Sequence, residues 1–231
     1  MTSRAAAAAA SLFPLRRQLT PAWLSEVLSG QAATDHVALT FDDGPDPVST
    51  PRFLDLLATH GVRATFFLLG HHAAREPALV RRITEEGHEL GVHGWTHRAV
   101  ARIPRHRLAT ELAVTRDLLQ GTSGAAVRWY RPPYGITTRA SLEVAADLGL
   151  VPVLWTAWGR DWERRATPAR VTRTLRRTLA PGGTILLHDT DRTSAPRSWQ
   201  VTLAATEQLL ARGDLRLGPL SEHGLLSPAT A

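Results

Sequence analysis

From residue 35 onward, short apolar runs rich in β-branched and aromatic residues alternate with longer segments whose apolar positions recur every three or four residues. The runs at 36–41, 64–69, 89–93, 127–131, 151–155 and 184–188, with a weaker one at 215–220, are expected to be strands. The segments at 49–60, 77–86, 104–120, 138–148, 168–180 and 198–212 are expected to be helices. Gly61, Gly87, Gly121, Gly149 and Gly213 each stand just past such a segment, where a left-handed residue ends a helix. Buried strands separated by helices imply βα units and a parallel sheet. With no internal repeat and no interior linker, one domain is expected over 35–220, preceded by a leader at 1–34 and followed by a tail at 221–231. Within the leader, Thr20, Pro21 and Gly30 would bound a short helix.

The polar residues decide between an open and a closed sheet. Asp42 and Asp43, His93 and His97, Arg131, Asp161 and His188 all fall at or just after the C-terminal ends of successive runs. In an open sheet, strands five places apart are separated by about 20 Å, too far for their side chains to meet. A closed sheet gathers those ends around one mouth. If these residues cooperate, six or seven βα units must form an irregular (β/α) barrel of parallel strands, with its site at the strand C-termini.

Composition narrows the function classes. The 231 residues include no cysteine, which excludes disulfides, thiolate ligands and a cysteine nucleophile. A net charge of +6 invites a nucleic-acid partner, but all 27 basic residues are arginine and they are scattered over the helices. With no basic stripe and no interleaved aromatics, no nucleic-acid interface is expected. No stretch reaches the ~20 apolar residues of a spanning helix. The Ala-rich start leads to Ser11-Leu12-Phe13-Pro14-Leu15, and Arg16-Arg17 follow at once without a small-residue cleavage site. A cytoplasmic location is therefore favoured over secretion or the cell envelope.

Adjacent carboxylates at a strand end repel each other unless a cation lies beside them. Asp42 and Asp43 are such a pair, and Gly44-Pro45 turns the chain after them. His93 and His97 are four residues apart after another strand, a spacing that aims two imidazoles at one point. Two histidines and one carboxylate leave coordination positions open, as a catalytic metal requires. Asp43, His93 and His97 are the expected ligands of one divalent ion, zinc or a similar metal. Arg131, in the stiff segment Tyr130-Arg131-Pro132-Pro133-Tyr134-Gly135, suits an arginine held against a carboxylate. His188 shares its strand face with Leu186, two residues earlier.

Thr40–Pro45, His93-x3-His97, Arg131–Gly135, Asp161-Trp162 and Leu186-x-His188 stand in the order and approximate spacing of the five motifs of polysaccharide deacetylases, the carbohydrate esterases of family four. The resemblance covers roughly 35–213. It implies Asp43, His93 and His97 as metal ligands, Asp42 as catalytic base and Arg131 as its partner. It further implies Asp161 orienting His188, the catalytic acid, and the backbone amide of Tyr134 holding the oxyanion. Trp162 and Leu186 would line the pocket for the acetyl methyl. The implied activity is removal of N-acetyl groups from an amino-sugar glycan through a metal-activated water. O-acetyl xylan, or small cyclic amides and imides on the same fold, are alternatives. An iron(II) oxygenase shares the ligand set but not the alternating βα pattern, and a binding module would lack the acid and base. Two positions depart from the family: Val92 where Asn is common, and Gly94 where a hydroxyl residue is usual.

Overall fold

The computed structural model describes residues 27–225. The leader helix expected from Thr20 and Pro21 falls largely outside the described residues; within them, 27–29 are helical and Gly30 is left-handed at φ 72°. Eight strands follow: β1 His36–Asp42, β2 Thr65–Leu68, β3 Glu89–Val92, β4 Trp129–Tyr130, β5 Val151–Pro152, β6 Ala157–Trp158, β7 Thr184–His188 and β8 Arg216–Gly218. Six principal helices lie between them: α1 Thr50–Thr59, α2 Pro77–Glu85, α3 Arg105–Ser123, α4 Arg139–Asp147, α5 Pro168–Thr178 and α6 Ser198–Leu210.

The local chemistry explains these bounds. Thr138 and Ser141 form a reciprocal capping box at the start of α4, and Thr167 caps α5 ahead of Pro168. Helix α3 runs past Gly121, its expected end, because the left-handed residue that stops it is Gly124, at φ 71°. The strand expected at 151–155 shortens to two residues, and β6 forms just after it, unannounced by any periodicity.

All the pairings are parallel, in the order β5-β4-β3-β2-β1-β7-β6. Strand β8 shares an edge of β1 with β2, pairing with His36–Ala38 while β2 pairs with Thr40–Asp42. The sheet is thus the expected irregular barrel in the form of a curled, incompletely closed sheet. Its two ends, β5 and β6, are joined by chain rather than by a ladder. Val153 N–H donates to Tyr130 O at 2.9 Å, Thr156 N–H to Thr184 O at 3.0 Å and Leu154 N–H to Leu28 O at 2.9 Å, so residues 153–156 cross the seam and lean on the segment before β1.

Period-two alternation then sorts the side chains. Val37, Leu39, Phe41, Phe66, Leu68, Leu90, Val92, Tyr130, Ile185 and Leu187 pack outward against the helices. Phe41 stacks on Phe66 and meets Phe53 of α1 edge-on, with centroids 5.2 Å apart in both pairs. The alternate positions face inward. Ala38, Phe67 and Trp129 form a small interior cluster with Val153 and Leu220. Continuing the same inward parity toward the C-terminal ends gives Asp42, His93, Arg131 and His188. The alternation that builds the core therefore also delivers the chemistry to the mouth.

Candidate active site

Asp43 is the first residue after β1, and its φ of 81° is left-handed, a conformation of order 1 kcal/mol or more above the ordinary regions that Asp tolerates better than most residues. A continuing strand would send Asp42 and Asp43 to opposite faces; this turn brings both carboxylates into the mouth. His93 Nε2 lies 3.8 Å from Asp42 Oδ2 and 3.2 Å from Asp43 Oδ1, and His97 Nε2 lies 3.4 Å from the same Asp43 oxygen. The Asp43 N–H is held by Phe67 O at 3.2 Å, and Thr193 Oγ1 donates to Asp43 Oδ2.

These three residues fit a metal ion. The His93 Nδ1–H donates to the Arg131 carbonyl at 2.7 Å, which directs Nε2 at Asp43. Burial opposes charge on this ring, but Asp42 and Asp43 raise it, so the carboxylates draw positive charge to this point. Burial holds His97 down at about 4, more strongly than Asp43 raises it, so that ring is neutral at physiological pH. Burial alone would raise Asp43, but His97 and His93 hold it well below the usual carboxylate range. The ligand atoms lie within 4.8 Å of one another, and buried Asp43 Oδ1 has no hydrogen-bond partner. Lone pairs aimed at one point without hydrogens between them are stable around a cation.

Arg131, fully buried, holds the other carboxylate. Its Nη1 donates to Asp42 Oδ1 at 2.8 Å and to Thr40 Oγ1 at 2.7 Å, while Nε and Nη2 donate to the carbonyls of Val153 and Leu154 at 3.2 and 2.8 Å. The guanidinium also lies over the Phe67 ring at 4.1 Å. Asp42 is thereby fixed beside the proposed ligands with Oδ2 turned toward them.

On the opposite side, His188 Nδ1 lies 3.1 and 3.2 Å from the two oxygens of Asp161. Asp161 is itself held by the His188 N–H at 2.8 Å and by Thr202 Oγ1 at 2.9 Å. Burial works against a charged His188, yet Asp161, helped by Asp43 and Asp42, raises it to about 10. The ring is therefore protonated at neutral pH, and its Nε2 faces Asp43 Oδ2 at 3.9 Å.

Tyr134 occupies a left-handed position, φ 61°, in the tight turn Pro133–Gly135, and its ring meets His97 at 4.4 Å. No partner accepts its backbone N–H among the described residues. Trp162 packs edge-on against His188 at 5.5 Å, and Leu186 lies buried two residues before it on the inner face. Every sequence-nominated residue is thus at the mouth. Thr40, Thr193 and Thr202 escaped notice. Thr40 at least carried a signal, since it shares the inward parity of Asp42. Asp189, just after β7, is fully buried; it accepts from Thr50 Oγ1 and is raised to about 7, chiefly by burial. It underlies the turn so closely that a Cβ on Gly44 would come within 2.6 Å of its Oδ2.

The family model of polysaccharide deacetylases matches residues 29–153. The chain belongs to this family. Its relatives include a chitooligosaccharide deacetylase of Sinorhizobium fredii, 42% identical over 154 residues, covering 66% of this chain and 71% of that protein. A peptidoglycan-N-acetylglucosamine deacetylase of Bacillus cereus is 37% identical over 162 residues, covering 70% of this chain and 58% of the relative. Among solved structures, the Bc1960 peptidoglycan N-acetylglucosamine deacetylase in complex with 4-naphthalen-1-yl-N-oxidanyl-benzamide superposes with a TM-score of 0.78 at 31% identity, over 88% of this chain and 96% of that one. Deacetylases of this family are metal-dependent, and the Asp43, His93 and His97 group is where this one can hold an ion. The glycine that departs from the family pattern also has its reason here. Gly94 has φ 107°, and a Cβ would meet nothing nearer than 3.4 Å, so backbone conformation rather than space selects glycine.

Proposed function

We propose that this chain is a metal-dependent hydrolase that removes N-acetyl groups from an amino-sugar-containing glycan, using zinc held by Asp43, His93 and His97. The observation that carries the reading is the pairing of opposed proton carriers across those ligands, Asp42 fixed by Arg131 on one side and His188 charged by Asp161 on the other. A divalent ion at this point supplies a Lewis acid for the acetamide carbonyl and lowers the pKa of a water toward ~7. Asp42, with one oxygen committed to Arg131 and the other free, accepts the proton of the attacking water. The Tyr134 N–H donates to the carbonyl oxygen as charge builds on it. His188 Nε2–H protonates the departing sugar nitrogen, which would otherwise leave as an unstable amide anion. Trp162 and Leu186 bound the space left for the acetyl methyl, favouring acetyl over larger acyl groups.

The test is acetate release from N-acetylglucosamine oligomers, peptidoglycan and acetylated xylan by the metal-loaded protein, with and without chelator. Chelator-sensitive release from the amino-sugar substrates is expected. Release that survives chelation, or release from xylan alone, would contradict the proposal.

A further inference from the structure

The loop that leaves β7 turns back over the mouth and opens a cleft of about 440 Å³ directly beside His97, walled by His71, His72, Arg98, Arg192 and Thr193. Its walls are rich in hydrogen-bond donors. Arg98 is exposed, with no carboxylate within ion-pairing distance among the described residues. Arg192 spends Nε on Asp46 Oδ2 at 2.7 Å and directs Nη1 at His72 Nδ1 at 3.5 Å, which leaves Nη2 uncommitted. A guanidinium only donates, so His72 Nδ1 accepts and the proton of its neutral ring is on Nε2. The His71 Nδ1–H is spent on the Trp95 carbonyl at 2.7 Å.

The two nearby carboxylates are already neutralised. Asp46 Oδ1 accepts the N–H groups of Val48 and Ser49, and its Oδ2 takes Arg192. Asp43 faces the proposed ligands, with Oδ2 also capped by Thr193. Burial first, then His71, Arg192 and Arg75, holds His72 down at about 4, so its ring is neutral and leaves the charge of the cleft to the two arginines. A neutral sugar hydroxyl has no need of two guanidinium groups, whereas a carboxylate matches their planar, charged donors.

We propose that this cleft is a subsite for a carboxylate carried by the substrate glycan next to the N-acetyl group removed, so that the preferred substrate is an acidic amino-sugar polymer. The inference rests on the deacetylase reading and deepens it. Arg98 and Arg192 are its specificity-determining residues.

The test compares oligosaccharides in which N-acetylglucosamine alternates with a lactyl-ether sugar acid, as free acid and as methyl ester. Metal-loaded wild-type protein should show kcat/KM at least about tenfold higher for the acid, the gain lying in KM. Raising the salt should shrink that preference. In Arg98→Ala and in Arg192→Gln, the ratio of acid to ester should fall to within about twofold of unity. A ratio near one in the wild type, or one unchanged in both variants, overturns the subsite. If no oligosaccharide releases acetate, the deacetylase reading fails instead. Calorimetric binding of acid and ester to the same metal-loaded protein then still decides the subsite, and equal affinities overturn it.

Discussion

Both ends of the barrel bury histidines, and the two ends use them in opposite ways. At the mouth, His93 and His188 each spend Nδ1 on an oxygen acceptor and turn Nε2 toward carboxylates. At the floor, His36 and His223 bond to each other through Nδ1 at 3.0 Å, and His223 Nε2 lies 3.2 Å from Gly30 O. His88 accepts the N–H of Ala64 at 3.1 Å and packs edge-on against Phe66. Burial lowers all three floor rings, His88 to about 4, whereas Asp161 overcomes burial to raise His188 to about 10. A carboxylate beside a buried imidazole is not enough to charge it, since His97 stays low against Asp43 and His36 against Glu222; at His188 the Asp161 contact outweighs burial.

The contrast breaks most visibly at Asp161. Replacing it with asparagine removes the charge that keeps His188 protonated, and kcat should fall about 10²–10⁴-fold. The alkaline limb of the kcat/KM profile should also move to lower pH. A variant with wild-type turnover and an unmoved limb would remove His188 from the proposed role of acid.

Next in size is Arg131. Its loss leaves Asp42 buried without its partner, so Arg131→Leu should unfold about 3–5 kcal/mol more easily in denaturant titration. A loss below about 1 kcal/mol would mean that water reaches Asp42 in the absence of the guanidinium.

Acid and alkali should separate the two ends without mutation. The folded pKa of His88 lies below its unfolded value, so its contribution is full above the unfolded pKa of about 6.5 and is lost as pH falls toward 4, at most about 3 kcal/mol. His188 has the opposite sign: its contribution is full below the unfolded value and is lost as pH rises through about 10. Melting temperature of metal-free protein should therefore decline on both sides, with His88→Asn flattening the acid side alone. Acid sensitivity unchanged in that variant would assign the decline to other groups.

The smallest effect expected is at the floor. His36→Gln should cost about 1–2 kcal/mol of stability by disturbing a buried hydrogen bond, with kcat and its pH profile intact. A shifted profile would connect the two ends and blur the distinction between them.

Strand and helix alternation was legible where apolar runs were bounded by glycine, as at Gly61 and Gly149, both left-handed in the structure. The seam was not. The segment 153–156 and strand β6 are too short to carry a period, and they are positioned by β4, β7 and Leu28 rather than by their own sequence. Clustering of the charged residues was legible because strand ends converge only if the sheet curls. The hydroxyls of Thr193 and Thr202 were invisible because they reach the mouth by loop and helix geometry that no spacing encodes. Nor does any local pattern announce the buried pair His36 and His223, which meet across 187 residues of chain.

In the proposed mechanism two neighbouring acids divide the work, Asp43 holding the ion and Asp42 moving the proton. Metal content and acetate release measured side by side on Asp42→Asn and Asp43→Asn test it most directly. Asp42→Asn should keep about one equivalent of zinc and lose turnover by at least about 10²-fold, while Asp43→Asn should lose both. Full turnover in Asp42→Asn, or a full equivalent of metal in Asp43→Asn, would contradict it.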